Sequence, residues 1–143
     1  MNISTFSMAN KLITGTDSLN QLPEEVKRLE IKNPLIVTDK ILIKAGVVKQ
    51  VQNLLPMEPG VFSDVNPEPE IEIVEQCLQT IKVGNHDGLI AVGGGSAIDI
   101  AKAASVMATN KGKIEEYFGI NLVESPGLPL IAIPTTAGTG SEV

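Results

Sequence analysis

The sequence predicts an α/β fold: an open, mainly parallel sheet with helices on both faces. Three observations carry that prediction. Short aliphatic runs alternate with segments whose apolar residues recur at helical spacing. The strand-like runs end in polar or glycine-rich turns from which the next helix departs. Aromatics make up only 3% of the residues and Trp is absent, so core volume must come from Val, Ile, Leu and Ala, which suit parallel strands buried on both sides.

Each element follows in order. Ser4 to Met8 and Lys11 to Thr14 look strand-like. A helix then runs to about Leu29, with Thr16 or Asp17 as its cap and Leu19, Leu22, Val26 and Leu29 on one face. Leu35 to Thr38, ending at Asp39, reads as a buried strand. A helix from about Ile41 to Leu55 follows, with a break near Gly46. Gly60 to Ser63 is a short strand, and Asp64 to Pro69 is a loop because its two prolines stop both helix and ladder. The helix from about Glu70 to Val83 places Ile71, Val74, Leu78 and Ile81 on one face. Asp87 to Val92 is a strand, three glycines and Ser96 follow, and a helix runs to about Thr109. Glu115 to Phe118 reads as a helical turn. Pro129 to Pro134 is a last strand, ending in the loop Thr135 to Ser141. The crossovers between such strands are expected to be right-handed.

The length of 143 residues suits one domain, 1–143. With 43% hydrophobic and 20% charged residues, the composition supports a folded core. A formal net charge of -6 makes nucleic acid a poor partner. No apolar run is long enough to span a membrane, and Met1 to Asn10 lacks the pattern of a signal peptide. The one cysteine, Cys77, suits a reducing cytoplasm and reads as a small apolar residue on a helix. The chain stops three residues after a Gly/Thr/Ser-rich loop of the kind that more protein usually follows. A truncated chain, or one domain of a larger enzyme, is therefore expected.

The segment Leu89 to Lys102 carries the chemistry. A strand leads into Gly93-Gly94-Gly95 and a helix leaves them. Glycines let a ligand approach the backbone, and the helix start offers unpaired N–H groups and a positive dipole end. The combination is an anion site that suits a diphosphate. Ser96 either caps the helix or donates its hydroxyl to a phosphate, and Asp99 stands at the Ser-x-x-Asp spacing of a capping box. Lys102 reads as solvated helix face. The pattern is neither a Walker loop nor G-x-G-x-x-G, so by itself it indicates a phosphate group and little more. Asp39, at the same edge of the sheet, either caps the following helix or accepts hydrogen bonds from an adenosine ribose. In the second role it would repel a 2′-phosphate and favour NAD over NADP.

Two longer motifs then stand out. Gly93 to Lys102 resembles the GGGSxxDxAK signature of the iron-containing (group III) alcohol dehydrogenases. Pro134 to Val143 resembles that family's P-T-T-A-G-T-G-S-E signature. Val37-Thr38-Asp39 and Asn66-Pro67-Glu68-Pro69 are similar to its adenosine-side elements. The resemblance implies a Rossmann-like cofactor domain binding NAD. Asp39 would lie at the adenosine ribose and Gly94, Gly95, Ser96 and Asp99 at the diphosphate. Thr135, Thr136, Thr139 and Ser141 would line the cofactor towards the nicotinamide ribose, with Asn66 a weaker contact. It also implies hydride transfer between a primary alcohol or aldehyde and NAD, in a homo-oligomer when full-length. A divalent metal, usually iron, would act as Lewis acid on the substrate oxygen. The family's metal ligands, an Asp and several His of an all-helical C-terminal domain, have no counterpart in this sequence. Its one histidine, His86, reads as a surface residue. No catalytic or metal-binding residue is therefore assigned, and the chain alone is expected to be inactive. The alternatives are a relative of the glycerol dehydrogenases or dehydroquinate synthases, and a non-catalytic nucleotide-binding module. Glycerol dehydrogenases usually carry Lys in place of Ser96, and the Thr135 to Glu142 run argues against both enzyme relatives.

Overall fold

Four aliphatic runs form the sheet: β1 (Pro34–Val37), β2 (Gly60–Phe62), β3 (Gly88–Gly93) and β4 (Leu130–Pro134). They belong to a computed structural model that describes residues 11–67, 71–110 and 126–135. All neighbours pair in parallel, in the order β2-β1-β3-β4. The register aligns Ile36 with Ile90 and Ile90 with Ile131. Every residue of β1 and β3 is buried, so these strands are apolar on both faces, as central parallel strands must be.

The two faces pack separate layers. On one, Leu35, Val37, Leu89 and Ala91 meet α4 (Ile71–Gly84) and α5 (Gly95–Thr109). Ala97, Ala101 and Ala104 keep α5 slim on the side that touches the sheet. On the other, Ile36, Ile90 and Val92 meet α1 (Leu22–Arg28) and α3 (Val47–Leu54) through Leu22, Val26, Val48 and Val51. Alternation of side chains along each strand sends successive residues to opposite layers. Among the described residues no helix is long and apolar enough to cross a membrane.

Several local expectations are corrected. Lys11 to Thr14 form no strand. The first helix is not continuous from Asp17. A 3-10 turn over Ser18–Gln21 precedes α1, and Pro23, at the helix start, has no N–H to carry an α-helical ladder backwards. Asp17 stands at the cap position with φ 62 and makes no side-chain cap bond. The predicted break is present: α2 (Lys40–Lys44) stops before Gly46, whose φ of +83 lets the chain restart as α3. On α4 the fully buried stripe is Ile73, Val74, Cys77 and Ile81, while Ile71 and Leu78 are half-buried. The helix is thus rotated slightly from the predicted face, because Cys77 packs as a core residue with no exposure. Burial pushes its thiol up to about 12, so it stays protonated and unreactive at neutral pH. The predicted strand Ser4 to Met8 and the turn Glu115 to Phe118 lie outside the described residues.

The amino edge of the sheet is closed by local polar contacts. Asp87 accepts from the backbone N–H groups of Lys32 and Asn33 at 2.9 and 2.8 Å, tying the entry of β3 to that of β1. His86 packs its ring against Gly60 and Gly84, with Nδ1 3.2 Å from the Asn33 carbonyl. It is half-buried structural material at the start of β3, not a freely exposed side chain.

Candidate functional site

The strand order fixes where a ligand can enter. From β1 the chain goes outward to β2, then returns past β1 to form β3 and β4 on the other side. The connections leaving β1 and β3 therefore diverge, opening a crevice beyond the carboxyl ends of these two strands. In open parallel sheets this switch point is where ligands bind. Asp39 stands two residues beyond the end of β1, and the glycine turn begins at Gly93, the last residue of β3.

Gly93 makes the turn possible. Its φ is +155, and a Cβ built there would stand 2.9 Å from the Ala97 Cβ and 3.9 Å from Asp39 Oδ2. Gly94, in extended conformation, is then the N-cap of α5, and no side chain caps the helix. The first N–H groups of α5 have no acceptor within the helix, so the strand delivers a polarised, uncapped helix start to the crevice. That is the local chemistry an anion needs.

Of the two alternatives read for Ser96, capping does not occur. Ser96 and Asp99 match the spacing of a capping box, but the sharp turn at Gly93 starts the helix two residues earlier, leaving Ser96 inside α5. The Ser96 hydroxyl donates instead to the Pro67 carbonyl at 3.0 Å, clasping the loop after β2 to the start of α5. Asp99 lies one turn further along, exposed on the helix.

Asp39 does what its capping alternative requires. Its Oδ1 accepts from the Leu42 N–H at 2.9 Å and caps α2, while Oδ2 lies on the Gly93 side. The two alternatives read from the sequence are compatible, since a carboxylate has lone pairs on both oxygens. The backbone of Asp39 also forms a bridge with Asp64, in the loop after β2. Lys40 Nζ is 3.4 Å from Asp64 Oδ1. Thr38 is fully buried beside Asp39, and its Oγ1 has no hydrogen-bond partner.

Thr135 extends the ladder beyond β4, its N–H donating to the Gly93 carbonyl at 2.9 Å, and is thereby held against the glycine turn. Asn66 is exposed in the loop that Ser96 clasps. Asp39, Gly94, Gly95, Ser96 and Thr135 are thus brought to one edge, with Asn66 on its rim. Thr136, Thr139 and Ser141 lie outside the described residues. Sequence reasoning missed Asp64 and the Pro67 carbonyl as parts of this edge. Asp64 follows β2 as Asp39 follows β1, and that parallel was the available signal.

Among the described residues no group of three or more His, Cys, Asp or Glu side chains is placed to hold an ion. His86 sits at the opposite edge. A shallow apolar concavity lined by Val26, Ile31, Pro56 and Met57 also lies at that amino edge, away from the glycine turn.

Comparison with known proteins places the fold in a family. The family model described as iron-containing alcohol dehydrogenase matches residues 9–143. A sulfoacetaldehyde reductase of Bilophila wadsworthia is 42% identical over 93% of the chain and 35% of its own length. A long-chain-alcohol dehydrogenase of Geobacillus thermodenitrificans is 46% identical over 90% of the chain and 34% of its own length. The chain therefore spans about a third of the length of these curated relatives. Among solved structures, a 1,3-propanediol oxidoreductase superposes with a TM-score of 0.91 at 31% identity, over 99% of this chain and 38% of that one. A sulfoacetaldehyde reductase from Bifidobacterium kashiwanohense, solved in complex with NAD+, gives 0.87 at 28% identity, over 100% of this chain and 39% of that one. With the family model spanning all but the first few residues, the chain belongs to the iron-containing alcohol dehydrogenases.

Proposed function

We propose that these residues form the cofactor-binding unit of an NAD-dependent alcohol dehydrogenase, acting on a primary alcohol or the corresponding aldehyde. One observation carries the reading. An uncapped helix start and a carboxylate face each other across the switch point of the sheet, 3.9 Å separating Asp39 Oδ2 from the Cβ position of Gly93. A dinucleotide needs both, an anion cradle for its diphosphate and an acceptor for its ribose hydroxyls.

In this reading the N–H groups at Gly94, Gly95 and Ser96 hold the diphosphate, and the lack of side chains at the glycines lets it approach the backbone. Asp39 orients the adenosine ribose through Oδ2 while Oδ1 keeps α2 capped. Asp99 stands exposed one turn into α5, at the margin of this cradle. Thr135 and, beyond the described residues, Thr136, Thr139 and Ser141 line the path towards the nicotinamide. Asn66 stands at the rim. NAD, when bound, supplies the nicotinamide carbon that exchanges a hydride with the alcohol carbon. The family's iron does not fit the residues present here: the sequence has one histidine, and it lies at the wrong edge.

Calorimetric titration with NAD, followed by an alcohol-dependent NADH assay with added Fe²⁺ or Zn²⁺, tests the proposal. Saturable NAD binding without turnover is expected. Gly95→Val should weaken binding by about tenfold or more, because a branched side chain at the helix start blocks the diphosphate and reorients its donors. Turnover by these residues alone, or unchanged affinity in Gly95→Val, would contradict it.

A further inference from the structure

The charge next to Asp39 bears on which dinucleotide the crevice accepts. Lys40 is the first residue of α2 and follows the proposed ribose partner directly. Its side chain is 72% exposed, and a free ammonium at this place would attract a 2′-phosphate. It is not free. Its Nζ lies 3.4 Å from Asp64 Oδ1.

Asp64 does not reach that position by the ion pair alone. The Thr38 N–H donates to the Phe62 carbonyl at 2.9 Å, the Val65 N–H donates to the Thr38 carbonyl at 3.4 Å, and Asp64 bridges Asp39 through the backbone. The loop after β2 is therefore pinned to the end of β1, and Asp64 is presented to Lys40 by the main chain.

We propose that Asp64 is a specificity-determining residue: by occupying Lys40 and adding a second carboxylate beside Asp39, it keeps the adenosine end selective for an unphosphorylated ribose. This rests on the reading of Asp39 as the ribose partner. With Asp64 in place the three side chains Asp39, Lys40 and Asp64 sum to one negative charge. Without it they sum to zero, and the ammonium is released towards the ribose. Asp39 alone would then oppose a 2′-phosphate.

The test is a comparison of affinities for NAD and NADP, and for 5′-ADP and 2′,5′-ADP, in the unaltered chain, D64N, D64A and D64N/K40M. The affinity for the 2′-phosphorylated member of each pair, relative to its partner, should rise about fivefold in D64N and D64A, the scale of one exposed charge interaction. Adding K40M should cancel the rise, and raising the salt concentration should shrink it, since the charges involved are exposed. A ratio unchanged in D64N and D64A while NAD still binds, or a rise that survives K40M, would overturn the inference. Failure of the unaltered chain to bind NAD or 5′-ADP would overturn the cofactor reading beneath it, and the inference with it.

Discussion

Gly93 is the residue on which the site's geometry turns. Its backbone conformation, φ +155, is one that L side chains rarely adopt, and a Cβ there would crowd Ala97 at 2.9 Å. Gly93→Ala should therefore cost about 1–3 kcal/mol of stability in urea denaturation and weaken NAD binding together. A variant as stable as the parent would show that the turn is not strained in this way. Asp39 and Ser96 show how far single residues can be read from sequence. Both are polar groups beside a helix start, and spacing alone makes both plausible caps. Asp39 does cap α2. Ser96 does not cap α5, because the backbone dihedral of Gly93, three residues upstream, moves the helix start, and no residue spacing encodes that dihedral. The Ser96 bond to Pro67 joins residues 29 apart in sequence and depends on strand order, so it was not legible beforehand.

At the scale of elements, the strands were the most legible part. β1, β3 and β4 are aliphatic runs with clear turn chemistry at their ends, and all three form within a residue or two of the predicted limits. The helices were legible in existence and less so in detail. Pro23 acts through its missing N–H and Gly46 through its positive φ, and only the glycine's effect was anticipated. α1 also carries a contact that composition does not announce. Glu25 accepts from Lys11 and from Arg28, tying the segment before the 3-10 turn onto the helix. The hydrogen bond from Lys11, then that from Arg28, hold the Glu25 carboxyl below its usual value. A carboxyl depressed in the folded state adds stability above its unfolded value and loses that contribution as pH falls through the folded value. Glu25→Gln should thus lower the melting temperature at neutral pH, and the gap to the parent should close in acid. A gap that stays constant from neutral to acidic pH would remove Glu25 from the account. The Lys11 and Arg28 side chains are exposed, with Glu25 half-buried between them, so the effect at neutral pH should also shrink in high salt.

For the whole molecule, a sheet with fully buried central strands and helical layers on both faces holds two divergent connections rigidly apart, and the crevice between them follows from strand order. The sequence predicts the layers through its aliphatic composition and alternation, but not the order β2-β1-β3-β4 that places Asp39 against the glycine turn. The sequence puts Asp39 and the glycine turn at the same edge, since each ends a parallel strand, whereas Asp64 and Lys40 became visible only once β2 was seen beside β1. The same order sets the amino-edge concavity around Ile31 and Met57 at the far end of the sheet, where it competes as a site by shape alone and offers no cradle for phosphate. A map of backbone amide chemical shifts during titration with NAD separates the two edges most directly. The account predicts saturable changes centred on Gly94, Gly95, Ser96 and Asp39, with the residues around Ile31 and Met57 unmoved. Shifts concentrated at that amino edge, with the glycine turn silent, would contradict it.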